Sequence, residues 1–309
     1  MSLMTQEGAR SVDSTASAPA DAVGAGAAAP AHHPAPGAPA VVIEPGRMSW
    51  SWLDLLELWA HRELLYFLTW RDLKVRYKQT ALGLAWVLIQ PLLATLIFTV
   101  FLGQLARVPS DGVPYPLLVF LGLLGWNFFS SSVTSSGNSL VSNAHLITKV
   151  YFPRVMIPAA AVAARLVDFG ISILILGGFM AYYRVGPTRN ILMLPVLALA
   201  TTLIALGCGM LFSALNVRYR DVGIILPVLL QLWMFASPVV YSSSIVPAAW
   251  RGVYSLNPFV GIIDGLRASV LGRAFDWWSL SVALGTALLL PVFAAYLFRR
   301  VEAGFADEV

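Results

Sequence analysis

The most specific chemistry in this sequence belongs to Arg165 and Asp168, the only formal charges inside six otherwise apolar windows. They stand three residues apart, so on a helix they share a face and can pair. An unpaired charge in hydrocarbon is costly, which favours a mutual pair that faces the interior of a helix bundle. A proton-driven carrier needs carboxylate relays deep in the membrane. A single, partnered carboxylate therefore indicates a structural pair rather than a transport site.

Aromatic residues form a second candidate group. Trp126 and Trp233 each lie about 18–20 Å along an apolar window, which places them near mid-membrane. An aromatic face offers contact area to a sugar ring without holding a polar ligand tightly. We therefore predict that these residues line a substrate path, with ordinary packing between helices as the alternative interpretation. The candidates are Trp126, Phe128, Phe129, Trp233 and Phe235.

Other chemistries find no support in the sequence. A phosphate-binding P-loop needs a lysine directly after glycine, and none of Lys74, Lys78 and Lys149 follows one. Neither a Ser/His/Asp nor a Cys/His arrangement appears, and the histidines show no metal-ligand spacing. We therefore expect no enzyme activity, no metal and no cofactor bound by this chain. The energy for any work must come from a partner or a gradient.

The composition predicts an all-α integral membrane protein. The chain is 58% hydrophobic and only 12% charged, with a mean hydropathy of +0.74, whereas soluble domains carry roughly a quarter charged residues. A pI near 9.3 fits cations beside an anionic leaflet, so it does not require nucleic acid as a partner.

Six windows are long enough to span a bilayer. They cover residues 82–105, 113–136, 155–183, 191–215, 222–243 and 277–298. With the amino end inside, about eleven basic residues lie on the inner side and about six on the outer side. This bias predicts a multi-pass membrane protein with both termini in the cytoplasm.

The segments outside the 81–300 transmembrane domain are short or of low complexity. Residues 1–46 are rich in Ala, Pro, Gly and Ser, which predicts a disordered tail. Residues 47–80 combine an amphipathic helix from Ser51, predicted to lie flat in the cytoplasmic interface, with a basic segment. A packed helix of a small soluble cap is the alternative for that helix. Residues 301–309 form a cytoplasmic tail.

Two connections between spans carry information. In the inner loop 137–158, a prolyl break at Pro153 lies between aromatic and basic residues, which predicts a stiff, exposed knob for a soluble partner. The alternative is that its cations only obey the inside-positive rule. In the outer segment 244–276, Asn257 suits an N-cap, Pro258 a first helical turn, and Asp264 can pair with Arg267. This predicts a short re-entrant or interfacial helix before the last span, with a plain surface helix as the alternative.

Together these motifs resemble the ABC-2 type permeases that export polysaccharides, the membrane subunits of O-antigen, capsule and teichoic acid exporters. The motifs are the basic run 71–78; Gly83, Trp86 and Pro91 in the first span; Lys149, Tyr151, Phe152, Pro153 and Arg154 in the inner loop; Asn216, Arg218, Tyr219, Arg220 and Asp221 in the inner turn; and Leu256, Asn257 and Pro258 outside. The likeness covers about residues 49–300. The long Ala/Pro tail departs from the family's usual short amino end.

The resemblance implies a homodimer of six-span subunits that works with two copies of a cytoplasmic ABC ATPase, which holds ATP and magnesium. The substrate implied is a lipid-linked polysaccharide, with O antigen first. The implied ATPase-coupling residues are Arg71, Lys74, Arg76, Lys149, Tyr151, Phe152 and Arg154. An ABC-2 permease for a lipid or drug is the alternative, followed by a proton-coupled carrier. A membrane glycosyltransferase is disfavoured, because the loops are too short for a sugar-nucleotide site.

Overall fold

The computed structural model describes residues 61–78, 84–149 and 152–302. The chain divides into a unit of residues 1–49 and a unit of residues 50–309, and every described residue belongs to the second unit. The predicted tail, the predicted interfacial helix from Ser51 and Tyr151 lie outside the described residues.

The described residues form an all-helical bundle, 82% helical and without strands, which confirms the predicted class. Two helices precede the first outer turn, α1 and α2, and π-helical turns at Thr99–Leu105 extend α2. A 3-10 turn, Arg189–Met193, leads into α7, and another, Ser243–Ile245, precedes α9. The helices are α1 Arg62–Lys78, α2 Leu84–Phe98, α3 Tyr115–Gly137, α4 Ser139–Ser142, α5 Ala144–Lys149, α6 Met156–Tyr182, α7 Leu194–Arg218, α8 Val222–Phe235, α9 Ala248–Tyr254, α10 Pro258–Leu271 and α11 Trp277–Glu302.

Among the described residues, five helical segments are long and apolar enough to cross a membrane: Ala85–Leu105, Tyr115–Gly137, Met156–Tyr182, Arg189–Arg218 and Trp277–Val301. The sixth predicted window, 222–243, differs. Its helix α8 ends at Phe235 after 14 residues, about 21 Å, which is less than the roughly 30 Å of a hydrocarbon core. Pro238 has no N–H to continue a helical ladder, and the chain turns there.

The non-helical segment after α8 is nevertheless buried in protein. Val239 and Val240 are almost fully buried. The carbonyl of Val239 accepts a hydrogen bond from Arg267 Nη2 at 3.1 Å, and the carbonyl of Val240 accepts one from the Tyr115 hydroxyl at 2.7 Å. Irregular backbone at membrane depth is tolerated only where such partners replace the helical ladder. Arg267 and Tyr115 therefore make the interruption possible.

Helix α3 is the hub of the bundle. It contacts α2, α6, α7, α8 and α10, and 78% of its spanning window is buried. By contrast, 6% of the window that begins in α2 is buried, so α2 lies at the edge with its apolar side chains exposed. The bundle thus buries α3 at its centre and leaves α2 at its edge.

Helix α10 follows the sequence prediction closely. The Asn257 side chain accepts a hydrogen bond from the Phe259 amide at 3.0 Å, Pro258 occupies the first turn, and Gly272 closes the helix in the left-handed region with φ 68°. The apolar stripe Phe259, Ile262, Ile263, Leu266 and Val270 is buried against the bundle. Helix α10 is therefore fixed to the protein rather than lying loosely on a surface.

Gly122 offers a test of this packing, because a Cβ at that position would lie 1.9 Å from the Val239 carbonyl oxygen. We expect Gly122→Ala to destabilise the purified protein by about 1–3 kcal/mol, since the buried backbone cannot move aside without strain. Gly170→Ala is the matched control, because a Cβ there meets nothing within 4 Å. Denaturant unfolding in detergent should leave the control unchanged or slightly more stable. Equal effects of both substitutions would contradict the close approach.

Candidate functional site

The candidate site is a cavity of about 770 Å³ that opens beside α2. Helices α2, α3, α6 and α8 form its walls, and the end of α1 closes one side. The lining combines charged, amide, hydroxyl and aromatic side chains. Those used below are Arg76, Tyr77, Trp86, Gln90, Trp126, Asn127, Phe128, Arg165, Asp168 and Gln231.

Three amides are the least expected part of this lining. Gln90, Asn127 and Gln231 come from three different helices and lie about 9–15 Å from the predicted inner ends of those helices. No described residue forms a hydrogen bond with any of these three side chains. Gln90 and Gln231 are also exposed on the face formed by α2 and α8. Unpaired amides at this depth require partners that lie outside the described residues.

Sequence reasoning missed these amides, although a simple signal was present. Gln90, Gln104, Asn127 and Gln231 are the only Asn or Gln residues in the six windows. Three of the four meet in this one cavity. The sequence alone could flag them as unusual, but their convergence depends on the fold.

The predicted pair Arg165 and Asp168 is present, but it belongs to a larger cluster. Arg165 Nη1 lies 3.4 Å from Asp168 Oδ2, whereas Arg76 Nη1 of α1 lies 2.7 Å from the same oxygen. The Ser135 hydroxyl accepts further hydrogen bonds from Arg165 Nε and Nη2, at 2.9 and 2.6 Å. Two cations therefore share one carboxylate at the predicted inner end of the cavity, which leaves an excess of one positive charge.

Tyr77 completes this cluster by donating its hydroxyl to Asp168. Burial raises the pKa of Tyr77 to about 12, and the hydrogen bond to Asp168 acts in the same direction. The phenol is therefore neutral at physiological pH and acts as a donor. Helix α1 is held to α6 by both Arg76 and Tyr77, which places its carboxyl end at the cavity.

The predicted aromatic residues divide into three groups. Trp126 and Phe128 line the cavity. Phe129 and Trp233 instead pack edge to face with each other, with ring centroids 5.3 Å apart, and both contact Phe259 of α10. Phe235 is exposed at the end of α8. The structure thus brings two of the five predicted residues to the cavity wall.

The predicted ATPase-coupling residues that the structure describes lie at the predicted inner end. Arg71 Nη2 donates to Asn143 Oδ1 at 2.8 Å, which joins α1 to the connection between α4 and α5. Phe152 is half-buried and packs against the Leu68 and Met156 cluster, so its ring holds this part of the loop on the bundle. Lys74 is exposed, and Arg154 begins the turn into α6. Lys149 ends α5.

The predicted outer residues lie at the opposite end. Asp264 Oδ1 and Arg267 Nη1 are 3.3 Å apart, as their spacing predicted. The Asn257 side chain, besides capping α10, accepts a hydrogen bond from Trp233 Nε1 at 3.2 Å. Among the residues that the structure describes, no group of three or more His, Cys, Asp or Glu side chains is arranged to hold a metal.

Comparison with known proteins identifies a family model and several permeases that are similar to this chain. Residues 63–271 match the family model described as ABC-2 type transporter. The chain is 35% identical over 263 residues to the O-antigen export system permease protein RfbA of Myxococcus xanthus, across 82% of this chain and 98% of that protein. It is 28% identical over 246 residues to RfbA of Klebsiella pneumoniae, across 79% and 94%. It is 23% identical over 236 residues to the polysialic acid transport protein KpsM of Escherichia coli, across 75% and 92%.

Proposed function

Since the chain belongs to the ABC-2 type transporter family, we propose that it is the permease subunit of an ATP-driven exporter of lipid-linked polysaccharide, with O antigen as the first candidate. Family membership makes the chain a multi-pass membrane transport subunit rather than an enzyme, as the sequence predicted. The chemistry of the cavity supports the more specific assignment to polysaccharide.

The observation that carries this proposal is the combination of side chains on the cavity wall. Gln90, Asn127 and Gln231 offer uncharged donors and acceptors, which match sugar hydroxyl groups. Trp86, which is 51% exposed, offers aromatic surface for the apolar faces of sugar rings, while Trp126 lies within the cavity wall and is 3% exposed. Amides and aromatics bind each ring weakly, and a path for a moving polymer needs many weak contacts. An apolar substrate such as a lipid tail would gain nothing from the three amides.

The open face, by which we mean the exposed sides of α2 and α8 that flank the cavity, supports a second copy of the chain as partner. Gln90 and Gln231 are exposed on α2 and α8, where contact with lipid tails would leave both amides without hydrogen bonds. A homodimer that pairs these faces would enclose the two cavities as one conduit. The amides would then face the polymer or each other across the conduit.

The charged end of the cavity fits an anionic linkage between lipid and glycan. Arg76 and Arg165 share only Asp168, so a phosphate group would balance the remaining positive charge. The apolar surface of α2 lies next to this cluster and would accommodate the lipid. We therefore place the lipid-linked end of the substrate at the predicted inner end of the cavity.

Energy must reach the conduit from a separate ATPase, because the sequence has no lysine in a P-loop context. Two copies of an ABC ATPase subunit, which would bind ATP and magnesium, would dock at the inner end formed by α1, α4 and α5. Docking there requires both chain termini in the cytoplasm and the permease in the bacterial inner membrane. The Arg71 to Asn143 hydrogen bond would let α1 and the inner loop move together.

The alternative within the family is a permease for a lipid or drug, which would use the apolar surface and leave the amides idle. A proton-coupled carrier has less support, because Asp168 is held by two arginines and a tyrosine. Deleting the gene separates these possibilities: polysaccharide export predicts that complete, lipid-linked glycan accumulates inside the cell. Unchanged surface glycan would contradict the proposal.

The amides can be tested directly. We expect Gln90→Leu and Gln231→Leu each to reduce glycan export about tenfold or more, since each replaces a hydrogen-bonding group with a side chain that cannot bind hydroxyls. Gln104→Leu is the matched control, because Gln104 is exposed on the same helical segment but does not line the cavity. Surface glycan is measured at equal permease levels by immunoblotting. If all three variants export glycan at the wild-type level, the amides do not contribute to the substrate path.

The docking end can be tested by charge reversal. We expect Lys74→Glu to reduce the ATPase that co-purifies with tagged permease by about tenfold, because an exposed cation is replaced by an anion at the proposed contact. Arg184→Glu reverses an exposed charge at the opposite end and should leave ATPase retention unchanged. Loss of the ATPase from the Arg184 variant alone would mean that the predicted orientation is inverted. Full retention by the Lys74 variant would refute this contact.

A further inference from the structure

A second cavity, of about 360 Å³, lies at the predicted outer end of the bundle. It is formed where the turn before α3, the broken backbone after α8, helices α9 and α10, and the start of α11 meet. Its volume is near the lower limit for small-molecule sites. None of the residues expected to line the substrate path forms part of it.

The charges of this cavity balance. Three aspartates and three arginines line it, together with several serine hydroxyls and Tyr254. The aspartates are Asp111, Asp264 and Asp276, and the arginines are Arg251, Arg267 and Arg273. An even balance favours neither an anion nor a cation. It suits a neutral ligand with many hydroxyls, each of which can donate to a carboxylate and accept from a guanidinium.

Several of these side chains already have internal partners that hold the walls in place. Asp111 accepts hydrogen bonds from the hydroxyls of Ser242 and Ser244, and the Ser242 bond holds the pKa of Asp111 below its usual value. The Asp276 carboxylate caps α11 by accepting hydrogen bonds from the Trp278 amide at 3.2 Å and from the Ser279 hydroxyl. These contacts make the rim rigid before any ligand binds.

Arg267 is different, because part of its hydrogen-bonding capacity is unused. Its side chain is 8% exposed, and its Nη groups contact Asp264 and the Val239 carbonyl. Its Nε has no hydrogen-bond partner among the residues that the structure describes. A buried donor without a partner is destabilising, so the Arg267 side chain retains hydrogen-bonding capacity that a small movement could turn toward a ligand hydroxyl.

We propose that the outer cavity binds one sugar residue of the exported chain through Asp264, Arg267 and the surrounding hydroxyls. This inference rests on the proposed function and adds a second contact to it. Helix α10 connects the two sites, because Phe259 near its amino end packs on Trp126 of the first cavity while Asp264 and Arg267 reach the second. By binding the hydroxyl groups of one sugar residue, the outer cavity would hold the emerging glycan between transport steps.

The test uses the permease–ATPase complex in nanodiscs and saturation-transfer difference NMR with galactose, mannose, rhamnose and N-acetylglucosamine as probes. We expect a saturable signal from at least one sugar. Ala274→Trp, an exposed position on the cavity wall, should raise the half-saturating concentration about tenfold or more by filling the cavity. Ala249→Trp makes the same change at an exposed position of α9 that does not line the cavity, and it should bind as the wild type does.

A second variant guards against misfolding of the first. Asp264→Asn keeps the side-chain size, removes the charge and should also weaken sugar binding, while Asp221→Asn at the opposite end should not. The inference is overturned if no probe gives a saturable signal, or if Ala274→Trp and Asp264→Asn bind like their controls. Sugar binding is measured without export, so saturable binding that neither variant weakens counts against the outer site alone. Absence of glycan export by the wild type counts against the proposed function.

Discussion

The structure depends on one constraint: hydrocarbon offers no hydrogen-bond partners, so every polar group within the membrane must find one in the protein or in what the protein carries. The interruption after α8 shows the first solution. There the carbonyls of Val239 and Val240 lie outside any helical ladder and are bound by Arg267 and Tyr115. Gly122 lets α3 approach this backbone closely. A short helix and a buried arginine thus replace the outer part of a full span.

The same constraint means that the polar groups left without a partner in the described residues must find one elsewhere. Asp168 is bound by three residues, yet Gln90 and Gln231 face outward without any partner among the described residues. Amides at this depth need a hydrogen-bond partner, which water in the cavity, a second copy of the chain or a hydroxyl-rich substrate would supply. This requirement connects the open face of α2 and α8 to transport. The cavity wall accordingly carries uncharged polar side chains among apolar ones, with the charged cluster at one end.

Features that depend on residues close in sequence were predicted correctly in much of the fold. Contacts between residues far apart in sequence were not. The cap at Asn257, the end of α10 at Gly272 and the pairing of Asp264 with Arg267 each follow from residues close in sequence. Hydropathy also located the spans, but it measures composition, so it could not see that α8 ends at Phe235. Arg76 reaches Asp168 from 92 positions away, and no spacing rule predicts such a contact. For the same reason the mid-span aromatics were treated as one group, whereas packing sends Trp126 to the cavity and Phe235 to the exposed face.

The central claim is that the amide-bearing face of α2 and α8 meets the exported polymer rather than lipid. Site-specific photo-crosslinking measures this directly, with p-benzoylphenylalanine at position 231 and, as a control, at Leu289, an exposed apolar residue of α11. During active export, irradiation should join position 231 to glycan, detected as a shift that glycosidase removes, while position 289 should capture only phospholipid. Capture of phospholipid alone at position 231 would contradict the account.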